Sequence, residues 1–175
     1  MKRYTIHIYG IRAMNAEVFD LPPKQNAVIV CTDVGNRYID EVLDPRLVKR
    51  VLFRDTENSW EPGAMTPAHA REIIDFVNGL PETVTDIYVC CMKGGSRSPA
   101  VAAALLRGSG RSDLDVWQNP YYVPNKLVYQ ILCQEMGLEA DDEFVRQRVR
   151  INELAFAEAQ KRGNAGDYER WQLLV

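Results

Sequence analysis

The sequence predicts an α/β fold of one domain, with a short, mainly parallel central sheet flanked by helices. Short β-branched or aromatic segments alternate with helical patterns, which is typical of parallel strands joined by crossover helices. A chain of 175 residues, 46% of them hydrophobic, is long enough for one well-packed core and too short for two. We therefore expect one domain over residues 1–160 and a loosely held C-terminal tail over residues 161–175.

Four short segments predict the strands, and most of them end in polar residues or glycine. They cover residues 4–10, 27–32, 50–55 and 86–91. Before the fourth strand, Thr66 is placed to cap a helix that starts at Pro67 and stops near Gly79. Further helices are predicted after Arg97, after Asn125 and after Asp141, and the last carries a stripe formed by Phe144, Ile151, Ala155 and Ala159.

The charge balance and the cysteine content exclude several classes of function. A formal net charge of −3 leaves no global basic field, so we expect no nucleic-acid partner. No segment approaches eighteen uninterrupted apolar residues, so we expect a cytoplasmic protein without integral membrane association. The four cysteines, two of them adjacent, do not form a convincing disulfide framework, and reduced thiols are the better interpretation.

The segment "VCCMKGGSRSPAVAAAL" (89–105) carries the strongest functional signal. A buried strand ending at Cys91, a loop with Gly94 and Gly95, and a helix starting around Ser98 can direct several backbone N–H groups at one point. Such a unit binds an anion. It lacks the Gly-Lys-Ser/Thr ending of a nucleotide-binding loop, so hydrolysis of ATP or GTP is not expected.

Cys91 and Arg97 add chemistry to this anion site. The N–H groups and helix dipole that hold a phosphate also favour a thiolate on Cys91. The guanidinium of Arg97 can bind two phosphate oxygens in a fork that lysine cannot reproduce.

Three stretches carry a family resemblance. "CMKGGSRS" (91–98) resembles the Cys-x5-Arg-Ser/Thr loop of the cysteine-based protein tyrosine phosphatases, in particular the dual-specificity-like branch and its bacterial relatives. "VLFRDTENSW" (51–60) is similar to the strand and loop that carry the family's general-acid aspartate. "VPNKLVYQILCQ" (123–134) resembles the Pro-Asn motif and the helix after it, so the likeness covers about residues 27–137.

The resemblance implies a role for each matching residue. Cys91 would attack phosphorus to form a cysteinyl-phosphate intermediate, and Ser98 would hydrogen-bond the sulfur as it leaves. Asp55, on a mobile loop, would protonate the leaving oxygen and then activate water. No metal or organic cofactor is implied, since the thiolate and the arginine supply the nucleophile and the charge. The implied phosphate-binding residues are Met92, Lys93, Gly94, Gly95, Ser96 and Arg97.

The chain departs from the family's pattern at two positions. Cys90 stands where the family usually has histidine, and Lys93 stands where this branch more often has a small or acidic residue. The expected substrate is a phosphorylated protein or peptide, with phosphotyrosine as the leading class. An inositide or inositol phosphate phosphatase, and a catalytically silent phosphate-binding module, remain alternatives. Glu57 and Asp33 remain alternatives to Asp55 as the acid.

The remaining cysteines suggest a redox response. An accessible thiolate oxidises readily, and a neighbouring thiol can then capture it as a disulfide. The candidates are Cys31 and Cys90. We favour Cys31, because the carboxyl ends of parallel strands share one edge, whereas Cys90 must face the opposite side of its strand or form a strained vicinal bridge. The simpler alternative is that Cys31 is only a buried small hydrophobe.

Overall fold

The computed structural model describes residues 1–17, 20–22, 24–33 and 43–162, so residues 163–175 of the expected tail lie outside the described residues. The strands are β1 (Thr5–Gly10), β2 (Asn26–Thr32), β3 (Val48–Leu52) and β4 (Asp86–Cys91). The helices in the described part of the chain are α1 (Ile11–Glu17), α2 (Pro67–Asn78), α3 (Arg97–Gly108), α4 (Leu114–Trp117), α5 (Lys126–Glu135) and α6 (Asp142–Lys161), and a 3-10 turn covers Pro45–Leu47.

The four strands form one sheet in the order β1-β4-β2-β3, and all three pairings are parallel. The predicted single α/β domain with a short parallel sheet is thereby confirmed. At the carboxyl edge, Cys91 of β4 is in register with Gly10 of β1 on one side and with Cys31 of β2 on the other. The segments that follow these three strands therefore start close together.

The alternation of side chains along the strands divides the core between the two faces of the sheet. Ile29, Cys31, Val89 and Cys91 belong to the larger cluster, which also contains the buried residues of α2, α3 and α5. On the other face, Met14 of α1 packs in a smaller cluster with Val28, Val30 and Cys90. Adjacent Cys90 and Cys91 thus serve opposite faces.

Helix α2 forms as its sequence predicts. Thr66 accepts a hydrogen bond at its hydroxyl from the backbone N–H of His69, and Pro67 is the first helical residue. Ile73 and Val77 are fully buried, and Gly79 is the C-cap. The crossover helix between β3 and β4 is confirmed.

Strand β3 differs from its prediction of residues 50–55, because it begins and ends earlier. Within the described residues it pairs only with β2, from Val48 opposite Val28 to Leu52 opposite Thr32, where β2 itself ends. Beyond that point the chain leaves the sheet, and the N–H of Arg54 bonds to the carbonyl of Gly63 instead. Asp55 therefore lies in the connection to α2, residues 53–66, which we call the acid loop.

The predicted stripe of α6 is half-buried, and its Phe144 and Ile151 pack against the core. The buried residues of this helix, Val145 and Asn152, lie beside that stripe. Asn152 is buried because its amide Nδ2 donates to three backbone carbonyls, those of Trp117, Asn119 and Tyr122. Apolar periodicity cannot reveal an inward asparagine.

Within the described residues, no helix is both long and apolar enough to cross a membrane.

A buried carboxylate joins α6 to the rest of the core. Asp113, 1% exposed, accepts hydrogen bonds from Trp117 Nε1 and Arg148 Nε, both at 3.1 Å, and from the hydroxyl of Tyr129. Burial raises the pKa of the Tyr129 hydroxyl, and the bond to Asp113 raises it further, so the hydroxyl remains the donor.

We expect Asp113→Ala to lower the free energy of unfolding by about 3–5 kcal/mol, because it leaves Arg148 partly buried without its counter-charge. Urea denaturation measures this loss. Asp115→Ala, an exposed aspartate on the same short helix, is the matched control and should change stability by less than about 0.5 kcal/mol. Equal effects of the two variants would contradict the assigned network.

Candidate active site

Cys91 lies at the carboxyl end of β4, where the chain turns into a loop before α3. Its sulfur lies 3.3 Å from the backbone N of Gly94, which donates to it, and 3.2 Å from the hydroxyl oxygen of Ser98. The residue is buried, with 2% of its surface exposed. The Gly94 N–H donates to this sulfur, and the Ser98 hydroxyl is close enough to exchange a hydrogen bond with it in either direction.

The backbone conformation of this loop depends on glycine. Gly94 has φ +82°, and an added Cβ would lie 2.6 Å from the backbone N of Gly10 and 2.8 Å from the carbonyl carbon of Tyr9. No side chain fits so close to backbone atoms. The loop therefore rests directly against the end of β1, which brings the Gly94 N–H under the Cys91 sulfur.

Arg97 is the first residue of α3 and is 4% exposed. Its Nη1 donates to the carbonyl oxygen of Phe53 at 2.8 Å and to Asp33 Oδ1 at 3.4 Å. Its Nε has no hydrogen-bond partner in the described part of the chain, and Asp55 Oδ2 lies 3.7 Å away. A buried N–H of a guanidinium without a partner is unusual and leaves a donor for an oxyanion.

Asp55 lies over this loop already, at the start of the acid loop. Its Oδ1 accepts hydrogen bonds from the hydroxyl of Ser96 at 2.8 Å and from Asn125 Nδ2 at 2.9 Å. Because both donors use Oδ1, Oδ2 is the oxygen left to face Arg97. In this structure Asp55 thus lies against the loop of residues 92–97 and the start of α5.

Asn125 connects three segments and is 2% exposed. Besides Asp55, its Nδ2 donates to the carbonyl of Thr56, while its Oδ1 caps α5 by accepting from the N–H of Val128. Its own backbone N–H donates to the carbonyl of Ser96. The sequence predicts Asn125 in a Pro-Asn motif but does not predict its contact with the acid loop. An asparagine before a helix indicates an N-cap, which is the only part of this role that the sequence shows.

The two alternative acids lie in different surroundings. The carboxylate of Glu57 is turned to α5, where it accepts from the Lys126 N–H and pairs with Lys126 Nζ at 2.8 Å. Asp33 follows the end of β2 and accepts a hydrogen bond from Arg97 Nη1. Asp55 lies nearest a different nitrogen of the same guanidinium, Nε. The histidines lie elsewhere: His7 bonds to Asp86, and His69 caps α2.

The other loop residues form the surface of the site. Met92 is 44% exposed, Lys93 is exposed, and Lys93 has no side-chain partner among the described residues. The carbonyl of Gly95 accepts from the N–H of Val123, so the connection before α5 lies against the loop. Trp117 in that region is buried and bonded to Asp113, and it therefore packs in the core instead of covering the loop.

The other two cysteines of this region occupy different positions relative to Cys91. Cys31 is fully buried and in register with Cys91 on the neighbouring strand, on the same face of the sheet. Burial, and then the proximity of Cys91, hold the pKa of Cys31 well above its usual value. Cys90 faces the opposite side, and burial raises its pKa to about 12. All four cysteines are free thiols.

The architecture and this loop define the class of fold, which is that of the cysteine-based protein tyrosine phosphatases. A PTP-2 phosphatase from Cydia pomonella matches with a TM-score of 0.50 and 15% sequence identity, over 83% of this chain and 84% of that chain. PTPMT1 matches with a TM-score of 0.45 and 13% identity, over 91% of this chain and 94% of that chain. No protein-family profile and no curated protein sequence matches the chain. At these identities the likeness concerns the fold alone.

Proposed function

We propose that the chain is a cysteine-dependent phosphatase that hydrolyses phosphate monoesters, with phosphotyrosine in proteins as the leading substrate class and dual specificity within its range. The observation that carries this proposal is the set of hydrogen-bond partners around Cys91. The sulfur accepts a hydrogen bond from Gly94 N at 3.3 Å and lies 3.2 Å from Ser98 Oγ, in a loop that ends at buried Arg97. This arrangement supports a thiolate beside a phosphate-binding guanidinium.

In the first step, the Cys91 thiolate attacks phosphorus, and the bond from phosphorus to the leaving oxygen breaks. Arg97 binds two phosphoryl oxygens, using Nε and the N–H groups that do not bond to Phe53. Asp55 gives its proton to the leaving oxygen from Oδ2, because Ser96 and Asn125 occupy Oδ1.

In the second step, the Asp55 carboxylate accepts a proton from water, and the water oxygen attacks the cysteinyl phosphate. The sulfur–phosphorus bond breaks, inorganic phosphate leaves, and the Ser98 hydroxyl donates to the thiolate that reappears. In this proposal the side chains named above and one water molecule carry out both steps. Because the nucleophile must stay reduced, the proposed compartment is the cytoplasm.

The alternatives differ from this proposal in substrate and in turnover. The position of Asp55 over the loop favours an enzyme over a silent phosphate-binding module, since it supplies an acid where a leaving group would be. Exposed Lys93 is the residue that would favour an inositide, because it can bind a second phosphate. Turnover of an inositol bisphosphate headgroup, compared with a phosphotyrosine peptide, separates the two substrate classes.

We expect Cys91→Ser to abolish hydrolysis of an aryl phosphate while vanadate or phosphate binding remains, because the loop amides and Arg97 are unchanged. Arg97→Lys should keep the charge but lose the forked contact, at a cost of about 2.7–4 kcal/mol in transition-state stabilisation. Steady-state kinetics and isothermal titration with vanadate measure the two effects. Cys90→Ser makes the same substitution on the opposite face of the sheet and is the matched control, and near-normal turnover by Cys91→Ser would overturn the mechanism.

Substrates with different leaving groups test whether Asp55 is the general acid. General acid catalysis contributes about 10²–10⁴-fold and matters most for a basic leaving oxygen. We therefore expect Asp55→Asn to slow hydrolysis of phosphotyrosine much more than that of an activated aryl phosphate. The matched controls are Asp33→Asn and Glu57→Gln. A selective loss in either control, with none in Asp55→Asn, would assign the acid to the other residue.

We further propose that peroxide reversibly inactivates the enzyme through a disulfide between Cys31 and Cys91. Peroxide oxidises the Cys91 sulfur to sulfenic acid, and attack by Cys31 forms the disulfide as water leaves. In-register Cα atoms on neighbouring strands lie about 4.8 Å apart, within the range that a disulfide spans.

Peptide mapping after peroxide should find the bridge in wild type and in Cys90→Ser but not in Cys31→Ser. Because the pKa of Cys31 is raised by burial, its thiolate fraction is small at neutral pH, and bridge formation should accelerate as the pH rises. Unchanged thiol-reversible recovery in Cys31→Ser would exclude this bridge.

A further inference from the structure

Two apolar side chains are exposed to solvent in the segment just before α5. Val123 is 61% exposed and Tyr121 is 42% exposed. Tyr122 between them packs against the larger core cluster, and Pro124 is buried. Because a proline restricts the residue before it to an extended conformation, the backbone of Val123 has little freedom. The proposed chemistry uses neither exposed side chain, and we call this pair, Tyr121 and Val123, the apolar wall.

Two backbone hydrogen bonds fix the apolar wall against the loop of residues 92–97. The N–H of Val123 donates to the carbonyl of Gly95 at 2.8 Å, and the N–H of Asn125 donates to the carbonyl of Ser96 at 3.3 Å. The segment before α5 thus runs alongside the loop that follows the proposed nucleophile. Any substrate that reaches this loop must pass the exposed side chains beside it.

Gly95 leaves open space next to the apolar wall. Among the described residues, and apart from its chain neighbours, an added Cβ at Gly95 would meet only the carbonyl oxygen of Tyr121, at 4.0 Å. At Gly94, by contrast, an added Cβ would overlap backbone atoms. Close packing therefore does not require a glycine at position 95, and the missing side chain leaves room for a side chain of a bound molecule.

The apolar wall lies on the side of the site where the rest of a substrate must be. Asp55, the proposed acid for the leaving oxygen, accepts a hydrogen bond from Asn125 Nδ2 at 2.9 Å. Val123 stands two residues before Asn125, and two residues of extended chain span at most about 7 Å. The leaving oxygen carries the remainder of the substrate. A side chain close in sequence to a phosphorylated residue can therefore reach Val123.

The charges around the apolar wall favour a polypeptide over an anionic membrane surface. Buried Arg97 is paired with Asp33 at 3.4 Å. The other charged residues of the acid loop, of residues 92–97 and of residues 119–126 are three cations and three carboxylates, namely Arg54, Lys93, Lys126, Asp55, Glu57 and Glu61. An anionic membrane is attracted by an excess of Lys and Arg, which these segments do not have. Apolar contact with a protein substrate fits this surface better.

We propose that the apolar wall binds an apolar side chain of the substrate polypeptide close in sequence to the phosphorylated residue. The inference rests on the proposed phosphatase function and adds a sequence preference to it. The loop of residues 92–97 cannot supply that preference, because its backbone N–H groups and Arg97 would contact only the phosphoryl group.

The test uses phosphotyrosine peptides that carry Leu, or Asn of similar volume, one to three residues to either side of the phosphotyrosine. Wild type should prefer Leu over Asn in kcat/KM at one or more of these positions. Val123→Ser should lower this Leu-to-Asn ratio by about 4-fold for each hydrocarbon group that the peptide no longer covers. Val123→Ile keeps a branched apolar side chain and should retain the ratio. Because the ratio is taken within each variant, a general change in rate cancels.

Leu154→Ser is the matched control, because Leu154 is an apolar side chain of similar exposure, 57%, on α6. It stands two residues after Asn152, which bonds to the carbonyl of Tyr122, so it projects from the opposite side of that helix. A Leu-to-Asn ratio in Val123→Ser equal to that of wild type, or an equal change in Leu154→Ser, would overturn the proposal.

Two binding measurements separate the other outcomes. If Val123→Ser loses binding to vesicles of phosphatidylcholine and phosphatidylserine while its peptide ratio is unchanged, the surface belongs to a membrane contact and the proposal is wrong. Fluorescence anisotropy of the same peptides with Cys91→Ser, alone and combined with Val123→Ser, gives a readout without turnover. If wild type hydrolyses no phosphate ester, the proposed function fails, whereas the preference for Leu in binding still decides the role of the apolar wall.

Discussion

The buried positive charge of Arg97 is the constraint on which the carboxyl edge of the sheet depends. A guanidinium that is 4% exposed costs several kcal/mol unless oxygen acceptors surround it. Those acceptors are the carbonyl of Phe53 and the carboxylate of Asp33, with Asp55 close to Nε. Phe53 follows β3 and Asp33 follows β2, so the first residue after each of these strands must lie at the first turn of α3. The incomplete pairing of Nε leaves the donor that a bound phosphoryl group would use.

The N-terminus of α5 is hydrogen-bonded to the acid loop. Two adjacent residues make these contacts: Asn125 donates to Asp55, and the N–H of Lys126 donates to Glu57. Asn125 also donates from its backbone to Ser96, in the loop of residues 92–97 that we propose to bind phosphate and call the phosphate loop. The acid loop, the phosphate loop and α5 therefore form one hydrogen-bonded unit.

The two adjacent cysteines of β4 point to opposite faces of the sheet, because side chains alternate along a strand. Cys91 points to the face that carries α3 and the phosphate loop, whereas Cys90 points to Met14 and Val30 on the other face. Cys90 packs there in the apolar cluster of Met14, Val28 and Val30, where a small thiol fits, and burial raises its pKa so that the thiol stays neutral. Cys90, where the family usually has histidine, therefore packs on the face of the sheet opposite to Cys91.

The sequence by itself determined the features that depend on a few consecutive residues. These are the alternation of strands and helices, the capped helix α2, the glycine loop and the eight residues from Cys91 to Ser98. Local chemistry suffices there, because turn, cap and strand preferences act over one or two turns of chain. The same sequence left Asp33, Asp55 and Glu57 as rival acids, since a loop carboxylate does not reveal its direction.

Only the tertiary structure decided which of those carboxylates faces the loop, where β3 ends, and why Asn152 is buried. Each answer depends on residues distant in the chain: Ser96 lies 41 positions from Asp55, Asn125 lies 70 positions from it, and Asn152 bonds to a carbonyl 35 positions away. The end of β3 likewise depends on the length of β2. Hydrogen bonds and strand pairing over such separations leave no periodic trace, because their energy comes from partners that only the folded chain brings together.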